Sequence, residues 1–255
     1  MKNNKINKLN PKVSFLVPVF NNESSLKQLT KQLKQQMFSH SIEFEIIFVN
    51  DFSQDDSLEV LKNLMKTNSN LTLVNMHNNV GQHAAVFHGL RYINGECCII
   101  MDADLQDPPD SVIHLIEKRC NKYEAIFAGR VGTYQNKTRM MTSKIYKYII
   151  HKLTGLPKNA GIFMLIEKAL IEKVLNARVR TIWINVMVGL SSSLFHVVPI
   201  KRNFRGEGKS SYTSLKRIQS ALKGIFCALS FYIFKPKKGY IQTIQTDPVL
   251  EVIKP

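Results

Sequence analysis

CCIIMDADLQDPPD, residues 97–110, is the stretch that decides the fold. Cys97, Cys98, Ile99, Ile100 and Met101 form an apolar run with strand character, and Asp102 and Asp104 follow at its end. In an extended segment successive side chains alternate faces, so the two carboxylates are expected on one side with Ala103 turned back. Two hard oxygen donors at a strand terminus suit a divalent cation that keeps coordination positions open for substrate phosphates. Pro108 and Pro109 then end the extended run and can open a helix. The plainer alternative is a polar turn closing a core strand.

Working outward, the first 130 residues alternate strand and helix signals. Val13 to Val19 reads as a buried strand, and Ser24 or Ser25 can cap a helix with Leu26, Leu29, Leu33 and Met37 on one stripe. Glu45 to Val49 is a second strand ending at Asn50 and Asp51, and Ser53 precedes a helix carrying Leu58, Leu61, Leu64 and Met65. A third strand (Leu71 to Met76), a helix from Gln82 to Tyr92, the Cys97 strand, a helix around Val112 to Ile116 and a strand at Ala125 to Ala128 complete the series. Such alternation implies an α/β fold, a mostly parallel sheet flanked by helices. Ligands of these sheets bind beyond the carboxyl ends of the strands, where Asp51, Asp102 and Asp104 all fall. No GxGxxG follows a strand and no GxxxxGK[ST] occurs, which argues against dinucleotide and P-loop sites.

Beyond Arg130 the reading predicts a helix over 138–153, an apolar segment over 162–166, helical patterns through Leu190 and a strand over 194–200. A basic segment follows. Lys201 to Lys238 holds ten Lys or Arg against the single acid Glu207, within a chain of net charge +16. Such a patch attracts phosphate. Leu215, Ile218, Leu222, Ile225, Leu229 and Ile233 recur at helical spacing, and with the flanking bases this C-terminal amphipathic helix reads as lying in the plane of an anionic membrane surface, the alternative being a domain helix packed on the sheet. The longest apolar stretch, 224–234, is well short of the roughly 20 residues of a spanning helix. Met1 to Lys12 has no secretory pattern. Four cysteines without framework spacing point to reduced core thiols in a reducing compartment. No aromatic-basic stacking motif is present, so nucleic acid is not an expected partner. Self-association into a homo-oligomer is left open.

Five motifs in order, VPVFNNESSL, EIIFVNDFSQDDS, NNVGQHAAVFHGL, MDADLQDPPD and a later R…GKSSY, make the chain resemble glycosyltransferase family 2, and within it the polyprenyl-phosphate glycosyltransferases. The resemblance implies a GT-A type nucleotide-sugar-binding domain over 1–212, the membrane-surface helix over 213–238 and a tail over 239–255. It implies that Pro18, Val19, Phe20, Asp51, Asp102 and Ala103 bind the nucleotide, with Asp51 bonding the base. Asp102, Asp104 and Gln106 would hold Mg²⁺ or Mn²⁺. Arg130, Arg139 and Ser143, with Arg202, Arg205 and Lys209 from the basic loop, would handle acceptor and donor phosphates. Asp104, Arg139 and Arg205 would be the catalytic groups. The partners implied are a UDP-, GDP- or dTDP-sugar, a polyprenyl phosphate and the cytoplasmic side of the cell membrane, where the enzyme would sit peripherally. Phe20 stands where the family often has Tyr, and Ser210-Ser211-Tyr212 replaces the usual Ser-Lys-Tyr.

The acceptor can be argued from what the chain lacks. Transfer to a sugar hydroxyl needs a carboxylate to take the proton, yet no Asp or Glu lies between Glu172 and Glu207. A phosphate oxygen is already an anion and needs only cations, which Arg178, Arg180, Arg202 and Arg205 supply. Inverting transfer to a polyprenyl phosphate for cell-envelope glycans is therefore the expected reaction. The alternatives are a family 2 enzyme acting on a glycan hydroxyl and a non-catalytic nucleotide-binding scaffold. A haloacid-dehalogenase phosphatase would want Thr or Val at Leu105.

Overall fold

The structure, a computed structural model, describes residues 12–131, 137–177, 179–202, 214–233 and 248–254, with backbone alone at 130–131, 137–144 and 214–218. Four strands, β1 (Val13–Val19), β2 (Phe44–Asn50), β3 (Leu71–Met76) and β4 (Cys97–Ile100), are buried along their whole length. Continuous apolar strands of this kind require cover on both faces. Helices α1 (Glu23–Ser39), α2 (Ser57–Met65) and α4 (Val112–Glu117) cover one face. The other is covered by α3 (Gln82–Gly89), α5 (Lys137–Thr154), α6 (Lys168–Asn176), α7 (Ile184–Ser191) and α8 (Ser214–Ile233). Within β1 the alternation is direct: Val13, Phe15, Val17 and Val19 join the first core, Leu16 the second.

Strands β5 (Ala125–Val131), β6 (Met164–Glu167), β7 (Phe195–Lys201) and β8 (Val249–Ile253) complete an eight-stranded sheet of order β7-β5-β6-β4-β1-β2-β3-β8. The pairs β1–β2, β2–β3, β1–β4 and β5–β7 are parallel, while β6 runs antiparallel to both β4 and β5. The mostly parallel GT-A-like α/β architecture is thus confirmed, as one domain with a mixed sheet.

Several local expectations change. Neither Ser24 nor Ser25 caps α1, which begins at Glu23 after Asn22; Ser25 instead donates to the Asn22 carbonyl. Ser53 accepts from the Asn21 N–H, and α2 starts only at Ser57. Part of the segment taken as a tail returns as β8, pairing antiparallel with β3 and accepting a bond from Asn75 through Glu251.

Helix α8 packs on the domain through small residues. Its buried side is made of small residues (Gly224, Cys227, Ala228, Ser230), while Leu222, Phe226, Leu229 and Ile233 face outward. Much of the expected apolar stripe is therefore solvent-facing rather than packed. No helix among the described residues is long and apolar enough to cross a membrane.

Candidate functional site

The central strands part where β1 outlasts β4. Leu16 O accepts from Met101 N and Val19 O from Asp51 N, so even-numbered residues of β1 bond toward β4 and odd-numbered ones toward β2. The β1–β4 register stops at Leu16↔Ile100. Pro18, which has no N–H to offer, therefore falls where β4 has already ended, and no ladder bond is lost. The connections leaving β1 and β4 diverge there, and this is the switch-point crevice in which open α/β sheets bind ligands.

Among the described residues, three of the four non-glycine positions with positive φ stand at this end of the sheet: Asn21 (56°), Phe52 (59°) and Leu105 (58°). Left-handed backbone is disfavoured for bulky side chains, and here each marks a sharp exit from a strand. The first two loops are laced together. Asn21 N donates to Ser53 Oγ (3.1 Å), Gln54 N to Asn21 Oδ1 (2.8 Å) and Asp56 N to Glu23 Oε2 (2.7 Å). Phe20 and Phe52, 47% and 46% exposed, flank this lacing. Pro18 and Val19 are buried, so Phe20 alone of the three nucleotide-wall residues presents its side chain. Phe52 was passed over in the sequence; its signal is an aromatic directly after the strand-terminal Asp51.

Asp51 is 2% exposed, and both its carboxylate oxygens accept from backbone: Val80 N to Oδ1 (2.7 Å) and Gly81 N to Oδ2 (2.9 Å). Asn79 Nδ2 adds a bond to its carbonyl (3.0 Å). Burial pushes the carboxyl above the usual aspartate value, outweighing the two N–H groups that pull it down. The residue expected to meet a base thus clamps the loop leading into α3. Gly81, at φ 85°, supplies the turn that loop needs.

The clamp aims the start of α3 at the acidic pair. Gln82 Nε2 donates to Asp102 Oδ1 (2.5 Å). Asp102 and Asp104 do not sit on an extended run as expected. Strand β4 ends at Ile100, Asp102 lies in the connection that follows and Asp104 in the turn after it, with Asp104 Oδ1 accepting from Gln106 N (3.1 Å) around the left-handed Leu105. Ala103 is 3% exposed, so its side chain belongs to the core and only its backbone faces a ligand. Among the described residues no group of three or more His, Cys, Asp or Glu forms a metal site. A cation here would draw on Asp102, Asp104, Gln106 and the ligand's own phosphates, a donor set that suits Mg²⁺ or Mn²⁺.

Arg202, one residue past β7, closes the far side. Its Nη2 lies 3.7 Å from Asp102 Oδ2 and its Nε 3.3 Å from Asp107 Oδ1, with Asp107 itself 2% exposed. That buried Nε is in ion-pair range of Asp107 but makes no hydrogen bond among the described residues. Gln82 lies inside a motif quoted above without a role there, and Asp107, like Asp104, is a carboxylate from which a base for a hydroxyl acceptor could come. Arg130, the penultimate residue of β5, is in register with Ile200, and Arg139 and Ser143 lie one helical turn apart on α5. Their side chains, with Arg205 and Lys209, lie outside what is described.

Residues 14–178 match the family model "Glycosyl transferase family 2". An uncharacterized glycosyltransferase of Synechocystis sp. is 29% identical over 84% of this chain and 68% of its own length. The undecaprenyl-phosphate 4-deoxy-4-formamido-L-arabinose transferase of Edwardsiella ictaluri is 28% identical over 84% of this chain and 67% of its own. Among solved structures, a mannosyltransferase from Pyrobaculum calidifontis in complex with GDP-Man and Mn²⁺ superposes with TM-score 0.59 at 16% identity, covering 88% of this chain and 70% of that one.

Proposed function

The chain belongs to glycosyltransferase family 2 and transfers sugar from a nucleoside-diphosphate sugar, and we propose that its acceptor is the phosphate of a polyprenyl lipid. One observation carries the proposal. One wall of the crevice is Arg202, 3.7 Å from Asp102, and the sequence that leads to it, 173–206, contains no Asp or Glu. A hydroxyl nucleophile would need a base on that wall. A phosphate needs cations. The Edwardsiella relative, an undecaprenyl-phosphate transferase by name, supports the same acceptor.

In this reading a lipid phosphate oxygen bonds to the anomeric carbon as the bond from that carbon to the diphosphate oxygen breaks, with inversion. No proton has to leave the nucleophile. Phe20, joined by Phe52, offers an apolar surface to the base. Mg²⁺ or Mn²⁺ held by Asp102, Asp104 and Gln106 would neutralise charge on the departing nucleoside diphosphate. Arg202, with Arg205 and Lys209, meets the diphosphate, and Arg130, Arg139 and Ser143 meet the acceptor phosphate. The outward row Leu222, Phe226, Leu229 and Ile233, beside Lys223, rests on the cytoplasmic surface of an anionic membrane.

The test is transfer from a panel of UDP-, GDP- and dTDP-sugars to undecaprenyl phosphate with Mg²⁺ or Mn²⁺. Lipid-linked sugar that disappears in Asp104→Ala is the expected outcome. Nucleotide release with a glycan acceptor but not with the lipid phosphate would overturn it.

A further inference from the structure

Between α3, α5 and α7 lies a cavity of about 230 Å³ that shares only Gln82 with the site described above. Its floor is buried and apolar: Ile150, Leu156, Ile162 and Val186. Three lining residues are exposed and so form its mouth: Gln82, Lys147 and Lys158. One flank is Trp183, whose ring stacks on His83 with centroids 3.8 Å apart.

Helix α8 backs this flank. Trp183 Nε1 and the Tyr146 hydroxyl both lie against Gly224 of α8. A Cβ at Gly224 would stand 3.1 Å from Trp183 Nε1, so only glycine lets α8 pack this closely.

Size, chemistry and position restrict the occupant. A cavity of about 150 Å³ accommodates one benzene-sized molecule, whereas small-molecule sites run to about 300–1,000 Å³. This pocket therefore takes a fragment, one ring or one to two branched five-carbon units, and not a nucleoside diphosphate. An apolar floor under a mouth with two lysines fits a hydrocarbon bearing an anion at one end. The mouth touches the donor site, because Gln82 bonds Asp102. It also leads to exposed apolar surface: Lys158 Nζ lies 5.6 Å from the Tyr148 ring, and Tyr148 and Ile145, three residues apart on α5, are 51% and 56% exposed.

We infer that this pocket receives the first isoprene units of the acceptor, with Lys147 and Lys158 at its mouth joining Arg130, Arg139 and Ser143 around the acceptor phosphate. The inference rests on the polyprenyl-phosphate reading above and adds to it where the lipid lies.

Trp183 is the sole tryptophan of the chain, so its emission reports on the pocket directly. Geranyl phosphate, kept below its aggregation concentration, should change that emission saturably, and inorganic phosphate should not. Geraniol should bind about tenfold more weakly, since it lacks the charge the lysines meet. Ala160→Phe, which fills the cavity, should weaken geranyl phosphate at least about tenfold and leave nucleotide affinity within about twofold. The exposed pair Lys147→Ala with Lys158→Ala should weaken geranyl phosphate without affecting geraniol, and tests the site even if Ala160→Phe fails to fold.

An emission change with a nucleotide sugar and Mn²⁺, but none with geranyl phosphate, would overturn the inference by giving the pocket to the donor sugar. Transfer to undecaprenyl phosphate, run in parallel, separates the two readings. A Trp183 response without lipid-linked product keeps the pocket and removes the proposed reaction. Product with an unchanged lipid KM in Ala160→Phe keeps the reaction and removes the pocket.

Discussion

Asp51→Asn isolates the clamp at the end of β2. The wild-type carboxylate accepts from Val80 N at 2.7 Å and Gly81 N at 2.9 Å, and hydrogen bonds to a charged group contribute about 1.5–3 kcal/mol each. An asparagine keeps one acceptor but turns its NH₂ toward the other N–H, losing one such bond and leaving a donor without a partner. That costs about 1–3 kcal/mol more. Opposing this, the neutral amide escapes the burial penalty that raises the carboxyl's pKa. Partial cancellation leaves an expected net loss of about 2–3 kcal/mol. Urea unfolding measures the loss, and amide exchange should quicken at Val80 and Gly81 by local opening. Nucleotide affinity should fall only as far as the loop loosens. If stability and both amide rates stay unchanged while nucleotide affinity falls about a hundredfold, the clamp argument is refuted and Asp51 serves the base.

Other consequences follow from burial and close packing. Burial pushes His83 down to about 3, so the folded protein keeps it neutral while the unfolded chain protonates it below about 6.5. Its contribution is present above pH 6.5 and is lost as pH falls toward 3; stability measured from pH 7.5 to 4.5 should therefore fall less steeply in His83→Phe, and equal slopes would contradict this. Burial pushes the Cys97 and Cys227 thiols up to about 12 and raises that of Cys98, whereas Cys120 is exposed. A colorimetric thiol reagent should titrate one cysteine in the native protein and all four after unfolding; a second fast native thiol would refute the packing. Gly224→Ala should destabilise by about 1–3 kcal/mol, because the new methyl meets Tyr146 and Trp183, and an unchanged urea midpoint would show that α8 sits further out.

The chemistry of the crevice was legible along the chain because it is local. Strand-terminal Asp51, Asp102 and Asp104 each sit beside the apolar run that carries them, and period-2 and period-3.6 patterns need no distant partner. The turn that presents Asp104 was less legible, since a left-handed Leu105 gives no compositional signal.

Sequence by itself determined the alternation of strands and helices, the carboxyl-end placement of the acidic residues and the family. Tertiary structure alone decided the antiparallel insertion of β6, the return of β8 to the sheet edge, and the partners of Asp51. It also turned the small residues of α8 inward and its large apolar side chains outward. These outcomes depend on groups far apart in the chain: Asp51 meets a loop 29 and 30 residues away, and Asn75 meets Glu251 across 176. A periodic pattern records that one face of an element is apolar. Which neighbour covers it, and which small residue permits the approach, is settled only when distant segments compete for the same space.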